Sequence, residues 1–499
     1  MRLFLGLDLS TQGFKALLID AEHGRIVHRS AVNFGKDLVQ YRSPEGYLPS
    51  SDPLFRHADP GMWLAALDLL FGMMMSEGVP LGEVRGISGS AQQHGSVYLN
   101  ESFDAALSRL GSADDLASHF QSCYSRPTAP IWLDRSTSRQ CQELAGHFGV
   151  EIARRTGSPA IERFAGPQIR KFAGESPEAW QATSQVHLIS SFMASVLAGK
   201  SAPVDSGDGA GMNLLNLHTL DWDREIADFT APDLLRKLPA VVVENYIYGE
   251  LNRYFCRYGF REGTLLTVWS GDNPSSLVGT GGAVPGQAVI SLGTSDTLFA
   301  AMSRFYTDPA GYGHVFGNPL GGFMSLSCFS NGSLAREKVM KECGMSFAEF
   351  DMPLERHPYG NLITPYFEAE CTPLVLIPGP KYNFDWRNAP APLKVRAIQE
   401  SQALTMKLHS EWLKLDFTSI TVTGGASGSL SFRQILADVF QAPVARIGVT
   451  DSAALGAALR AAENPAEVAA RFCAPVDIVE PDPRADYSEV LQQYAILEK

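Results

Sequence analysis

The chain has 499 residues, a formal net charge of −13 at neutral pH, and 45% hydrophobic against 19% charged residues. That length exceeds one ordinary core, so two large domains are expected, and the composition excludes a fibrous or disordered chain. The acidity, with no long run of Lys or Arg, excludes a broad nucleic-acid or anionic-membrane footprint, and seven scattered cysteines without a Cys-x-x-Cys pair exclude a disulfide frame or zinc site.

The first element begins at once. Residues 3–9 read as an apolar strand, 10–13 (Ser-Thr-Gln-Gly) as a tight turn, and 14–20 as a returning strand. No charged segment leads into an apolar one, so no secretory leader is expected and the protein is expected to be cytoplasmic. Residues 63–75 form a buried helix by their apolar content, and 84–90 a short strand ending in a Gly/Ser turn. Val186, Leu188, Ile189, Phe192, Met193, Val196 and Leu197 recur at helical spacing, with Gly199 as the stop. Neither apolar stretch is long and uninterrupted enough to cross a bilayer. The string Ala194 to Ser201 nearly spells a phosphate-binding Walker loop, but Ala stands for the first Gly and a helix precedes it where that loop needs a strand, so it is rejected.

The passage from Tyr248 to Gly263 separates two domains in this reading, 1–264 and 265–499. A strand restarts at 265–269. Then Ala288 to Leu292, Gly293-Thr294-Ser295-Asp296 and Thr297 to Ala300 repeat the opening strand, turn and strand. One such hairpin is ordinary. Two similar ones on opposite halves of the chain point to a duplicated fold whose small hydroxyl-bearing turns can hold polyphosphate with backbone N–H groups. Farther on, 419–423 is a strand, 424–428 a glycine turn, and 431–440 a helix; 452–459 is a small-residue helix suited to close approach by backbone or nucleotide.

Phosphoryl transfer needs a phosphate cradle, a divalent metal and a carboxylate that orients the attacking hydroxyl. Asp8 ends the first strand, where a carboxylate can face Mg²⁺ through water or simply cap a turn. Asp208 lies in the glycine-rich loop 203–213 with Asp205, a setting open to substrate and equally common in plain turns. His94 follows a strand end, as do Asp272 and Asn273, whose paired side chains can accept from and donate to sugar hydroxyls. Lys15 can neutralise phosphate, though an exposed strand lysine is the plainer reading. Each signal is weak alone; their order along one chain gives them weight.

That order resembles the carbohydrate kinases of the xylulokinase–glycerol kinase (FGGY) group, nearest its eukaryotic-type xylulose kinase branch, within the actin-like ATPase superfamily. The matching strings are Asp8-Leu-Ser-Thr-Gln12, Gln92-Gln-His-Gly95, Trp132-Leu-Asp-Arg135, Glu162-Arg-Phe164, Asp208-Gly-Ala-Gly-Met-Asn-Leu-Leu215, Ser270-Gly-Asp-Asn-Pro274, Ser291-Leu-Gly-Thr-Ser-Asp-Thr-Leu-Phe299, Asn331-Gly-Ser333 and Thr423-Gly-Gly-Ala-Ser427. The resemblance implies an α/β fold of two ribonuclease-H-like domains with an interdomain cleft, and ATP and Mg²⁺ as cosubstrate and metal. It implies Asp208 as catalytic base, with His94, Arg163, Asp272 and Asn273 contacting a ketose. It places Asp8 at the metal, Thr11, Gly293 and Thr294 at phosphates, and Gly424 and Gly425 at the adenosine. Ser429 and Phe347 stand where close relatives carry Asn and Trp beside the nucleotide; Phe347 keeps a stacking face. The implied reaction is phosphorylation of D-xylulose at its 5-hydroxyl, the alternatives being a sibling kinase for another ketose or polyol such as ribulose, or a non-catalytic ATPase of the same fold. No nucleic-acid or membrane partner is expected, and a homodimer is allowed.

Overall fold

The computed structural model of the chain describes residues 1–351 and 360–499. They form two compact units: Met1–Gly281 with Val315–Phe323 and Asp451–Phe472, and Gly282–His314 with Met324–Thr450 and Cys473–Lys499. The first unit therefore runs past residue 264 and takes back a late segment. The physical reason is strand pairing, because the stretch read as an interdomain passage contains Ile247–Glu250, a strand antiparallel to Leu265–Thr267. Both sides of the expected cut belong to one sheet.

In the first unit β1 (Leu3–Leu9), β2 (Gly13–Asp20), β3 (Arg25–Asn33), β4 (Val84–Ala91), β5 (Ile247–Glu250) and β6 (Leu265–Thr267) form a sheet ordered β5-β6-β4-β1-β2-β3, and β7 (Ser270–Gly271) also pairs with β4. In the second, β8 (Gln287–Leu292), β9 (Asp296–Met302), β10 (Phe323–Phe329), β11 (Ser419–Thr423), β12 (Val444–Ile447) and β13 (Pro475–Val479) are ordered β13-β12-β11-β8-β9-β10. Over these six strands the two orders correspond. Each central strand, β1 or β8, is antiparallel to its hairpin partner and parallel to the strand on its other side, β4 or β11. A second parallel pairing follows, then an antiparallel outer strand. This is the duplicated ribonuclease-H-like α/β fold, and the twin hairpins expected from the sequence are its two opening hairpins.

The helices follow from local chemistry. In α1 (Pro60–Ser76) the Asp59 carboxylate accepts the Gly61 N–H at 2.8 Å and Pro60 opens the first turn, where its missing N–H costs nothing. Trp63, Leu67, Leu70, Phe71 and Met74 on this helix are fully buried in the first core. The run 186–197 is not one helix: Gln185–Leu188 is a strand paired with Ser96–Leu99, and α2 (Ile189–Ala198) follows it. Val186 and Leu188 lie inward on that strand, so their helical spacing with the later residues is coincidental. α2 does place a helix ahead of Lys200-Ser201, in keeping with the rejected Walker loop.

Four more helices matter: α3 (Ser206–Gly209), α4 (Asp272–Gly279), α5 (Leu430–Phe440) and α6 (Ser452–Ala461). The small-residue helix α6 is approached by backbone. A Cβ on Gly6 of β1 would lie 2.0 Å from the Ala454 carbonyl oxygen, and one on Gly456 would lie 1.8 Å from that of Ser275 in α4. Glycine at both sites lets helix, strand and neighbouring helix meet at backbone distance. Among the described residues no helix is long and apolar enough to cross a membrane.

Candidate active site

In the first unit, the carboxyl ends of three neighbouring strands bring chemistry-bearing side chains together. Asp8 on β1 pairs in register with Ser90 on β4, and Ser90 pairs with Ser270 on β7. The chain then turns off each strand into Ser10 to Gly13, Gln92 to Gly95, and α4, which is where ligands sit in open α/β sheets. Asp272 and Asn273 open α4, so the helix N-terminus is added to this end of the sheet.

These segments are cross-braced. Asn273 Nδ2 donates to Gln93 Oε1 at 2.8 Å and to Asp272 Oδ1 at 3.1 Å. His94 is held at φ +72°, a strained backbone for a non-glycine, with its Nδ1 3.0 Å from the Gly211 carbonyl oxygen. Its ring stacks on Phe164 at 4.3 Å, which sets His94 beside the loop that carries Arg163. The Thr11 hydroxyl accepts from Trp132 Nε1 at 2.8 Å and contacts Gln92 Oε1 at 3.4 Å. Asp8, Thr11, His94, Arg163, Asp208, Asp272 and Asn273 thus belong to one connected set of loops in this unit. Lys15 pairs with Asp451 at 3.1 Å on an exposed face, the plainer of its two readings.

Asp208 is 1% exposed. It sits in the single-turn helix α3, and its N–H donates to the capping carboxylate of Asp205 at 2.9 Å. The Ser190 hydroxyl donates to Asp208 Oδ2, whereas Oδ1, also buried, has no hydrogen-bond partner among the described residues. Burial pushes the Asp208 carboxyl well above the usual carboxylate range, and the charges of Asp205 and Asp272 push the same way. Burial raises Asp8 to about 6. Asp272 rises to about 7, again through burial first and then the neighbouring charge of Asp8. Such a cluster of buried, mutually repelling carboxylates is unfavourable for the protein alone.

In the second unit, the turn between β8 and β9 is held from beneath by Asp296. Its Oδ1 accepts the Gly293 N–H at 3.1 Å, and Arg336 grips both its oxygens at 2.7 and 3.0 Å. Gly293 N–H is therefore directed inward, while Thr294 and Ser295 are exposed at the tip. The Ser333 N–H donates to the Gly293 carbonyl at 2.8 Å, joining the Asn331-Gly332-Ser333 turn to this one. Gly424, at φ +88°, lies against the end of β8, where a Cβ would meet the Leu292 carbonyl oxygen at 2.4 Å. Three turns, at 293–296, 331–333 and 424–428, meet here. Beside them is a pocket walled by Met340, Phe350 and Phe432, with Arg336, Asp351 and Ser429 as polar lining. Ser429 caps α5 by accepting the Phe432 N–H at 3.2 Å and donates its hydroxyl to Asp351. The side chain of Phe347 lies outside the described structure.

Sequence reasoning passed over Arg336, Ser190 and Arg460, and it quoted Asp296 and Trp132 only within their strings, without a role. Asp205 was visible as the second carboxylate of its loop. Its three-residue lead over Asp208 is the signature of an N-cap.

Residues 127–279 match the N-terminal domain, and residues 288–464 the C-terminal domain, of the FGGY family of carbohydrate kinases. The chain belongs to that family and is a carbohydrate kinase. Over 525 residues it is 37% identical to the Xylulose kinase of Mus musculus, a match covering 100% of this chain and 94% of the mouse protein. It is 35% identical over 488 residues to Xylulose kinase 2 of Arabidopsis thaliana, covering 93% of this chain and 87% of that one. The fold matches the crystal structure of a "xyloylose kinase" from Brucella ovis with a TM-score of 0.81 over 99% of this chain and 98% of that one, at 23% identity.

Proposed function

We propose that the protein transfers the γ-phosphoryl group of ATP to the 5-hydroxyl of D-xylulose, giving D-xylulose 5-phosphate and ADP. The observation that carries this reading is the asymmetry of Asp208: one oxygen is fixed by Ser190, and the other is buried without a donor among the described residues. A substrate hydroxyl is the donor that would complete it. Full-length similarity to proteins named xylulose kinase supports the acceptor.

In this reading Asp208 orients the hydroxyl through Oδ1 and takes its proton late, because phosphoryl transfer is largely dissociative and needs little base assistance early. Its raised proton affinity suits the second half of that task. His94, Arg163, Asp272 and Asn273 contact the ketose, the carboxylate accepting and the amide donating to neighbouring hydroxyls. Phosphates are taken by the turns around Thr11 and around Gly293 and Thr294. Gly424, Gly425 and Ser429, with Phe347, take the adenosine; the Met340, Phe350 and Phe432 walls beside Ser429 suit a flat apolar base.

The residues present fit Mg²⁺. Asp8 offers a hard oxygen ligand, its Oδ1 is buried without a partner among the described residues, and burial raises its proton affinity, a cost that a bound cation would relieve. Asp8 belongs to no three-ligand cluster among the described residues, so substrate phosphates and water would complete the shell around a Mg²⁺ held by Asp8. When bound, the metal would screen phosphate charge.

The test is sugar-dependent ADP formation with D-xylulose, ribulose and their isomers, using the wild type and Asp208→Asn. D-xylulose is expected to be preferred, and the variant to lose ~10²–10⁴ in turnover with ATP binding retained. Preference for another acceptor would replace the sugar, and undiminished turnover would remove Asp208 from its role.

A further inference from the structure

Arg460, in the last turn of α6, has no exposed surface, and neither does it have a hydrogen-bond partner for its guanidinium nitrogens among the described residues. Its nearest charge is Asp205, 1% exposed, with Nη2 to Oδ2 at 3.7 Å. A buried guanidinium stays charged and is costly unless paired, so its persistence asks for an explanation.

Asp205 connects three parts of the site. Its Oδ1 accepts the Asp208 N–H at 2.9 Å and the Ser270 hydroxyl at 2.8 Å, the latter two residues before Asp272. Its Oδ2 faces Arg460. Asn245 Nδ2 donates to the Arg460 carbonyl at 2.6 Å and anchors the end of α6. Of the two carboxylates, Asp205 has a cation and several donors, whereas Asp208 has the Ser190 hydroxyl and two anionic neighbours, Asp205 and Asp272. Burial raises both carboxyls, but the Arg460 charge and the donors hold Asp205 down while Asp208, beside two anions, rises farther, so Asp208 is the more ready of the two to take up a proton.

Resting on the reading of Asp208 as the base, we infer that Arg460 is a positioning residue: it holds Asp205 as the anionic cap on which the turn carrying Asp208 is built. Through Asp205 it also sets how readily Asp208 accepts a proton. Neither Arg460 nor Asp205 touches substrate in this scheme.

The experiment compares wild type, Arg460→Lys, the double variant Asp205→Asn/Arg460→Met, and Asp208→Asn. The double variant keeps an amide oxygen to cap the turn while removing both buried charges, so it separates charge from fold. Expected for it are a near wild-type Tm, a kcat ~10–100-fold lower with the sugar KM little changed, and an acid limb of kcat/KM moved about one pH unit lower, because Asp208 loses a repelling neighbour. Arg460→Lys, which keeps the charge, should keep the wild-type profile. A double variant of wild-type Tm whose acid limb stays put or rises overturns the inference.

If its turnover is too slow to profile, the gain in Tm at pH 8 from Asp208→Asn decides. That gain should be smaller in the double-variant background, and an equal gain in both overturns the inference. Failure of the base reading shows separately, as undiminished turnover of Asp208→Asn alone.

Discussion

Arg336 holds Asp296 with both prongs of its guanidinium, Nη1 at 2.7 Å from Oδ2 and Nη2 at 3.0 Å from Oδ1, the pair almost wholly buried. Asp296 in turn accepts the Gly293 N–H, so the shape of the proposed phosphate turn depends on this pair. Removing one partner strands a buried charge, which typically costs 3–5 kcal/mol. Arg336→Met is expected to lower stability by about that amount and to raise the KM for ATP more than that for sugar. Lysine does not restore the two-pronged grip. Denaturant melts and steady-state kinetics of both variants check it; Arg336→Lys with wild-type values in both would show that the turn does not need the fork.

The twin hairpins were legible because strand, turn and returning strand are local patterns that survive in the text of the chain. Arg336 and Asp296 were not, because they lie 40 residues apart and a lone Arg on a helix reads as surface charge. Arg460 is a stronger case: only the return of α6 to the first unit buries it, and nothing near it in sequence announces that return. The polar residues after strand ends, His94, Asp272 and Asn273, could be picked out in the sequence, yet their bracing by Gln93, Gly211 and Phe164 needed coordinates. The single helix read across 186–197 failed because Val186 and Leu188 fit the alternation of a short strand as well as they fit a helical turn.

Close packing around α6 gives a second expectation. Alanine at Gly456 or Gly6 would push a methyl group to 1.8 or 2.0 Å from a backbone carbonyl oxygen, and neither backbone is free to withdraw like a flexible side chain. Overpacking of this kind costs about 1–3 kcal/mol, sometimes more. Each Gly→Ala variant should melt earlier, despite the gain in helix propensity at Gly456. An unchanged or higher Tm would show that α6 sits farther from β1 and α4 than described.

Asp8 links stability to pH in an unusual direction. Its carboxyl is raised from 3.8 to about 6, so between those values the folded state binds more protons than the unfolded one. Stability contributed by this group therefore falls as pH rises from about 4 to 6 and stays low above. A shift of about two units corresponds to ~3 kcal/mol as an upper bound. Asp8→Asn should raise the metal-free Tm at pH 8 and leave it nearly unchanged at pH 4; under the proposed metal role it should also remove any gain in Tm from Mg²⁺. Thermal melts at both pH values, with and without Mg²⁺, provide the measurement.

Asn273 supplies the last expectation. Its amide donates to Gln93 Oε1 and to Asp272 Oδ1, so it buffers a carboxylate already pushed up to about 7 by burial and by Asp8. Asn273→Asp removes both donations and sets another negative charge beside Asp272. Each effect favours the protonated form of Asp272, so its titration moves above 7. If ionised Asp272 is needed to accept from the sugar, the acid limb of kcat/KM for sugar should move to higher pH by about a unit, with kcat/KM at pH 7 falling about fivefold and recovering in part at pH 8.5. Asn273→Ala loses the amide without adding charge, so it should lower kcat/KM at every pH with a smaller shift of the limb. A pH-independent loss in Asn273→Asp would mean that Asp272 does not act through its charge, and the pair would then serve the sugar by shape and hydrogen bonding alone.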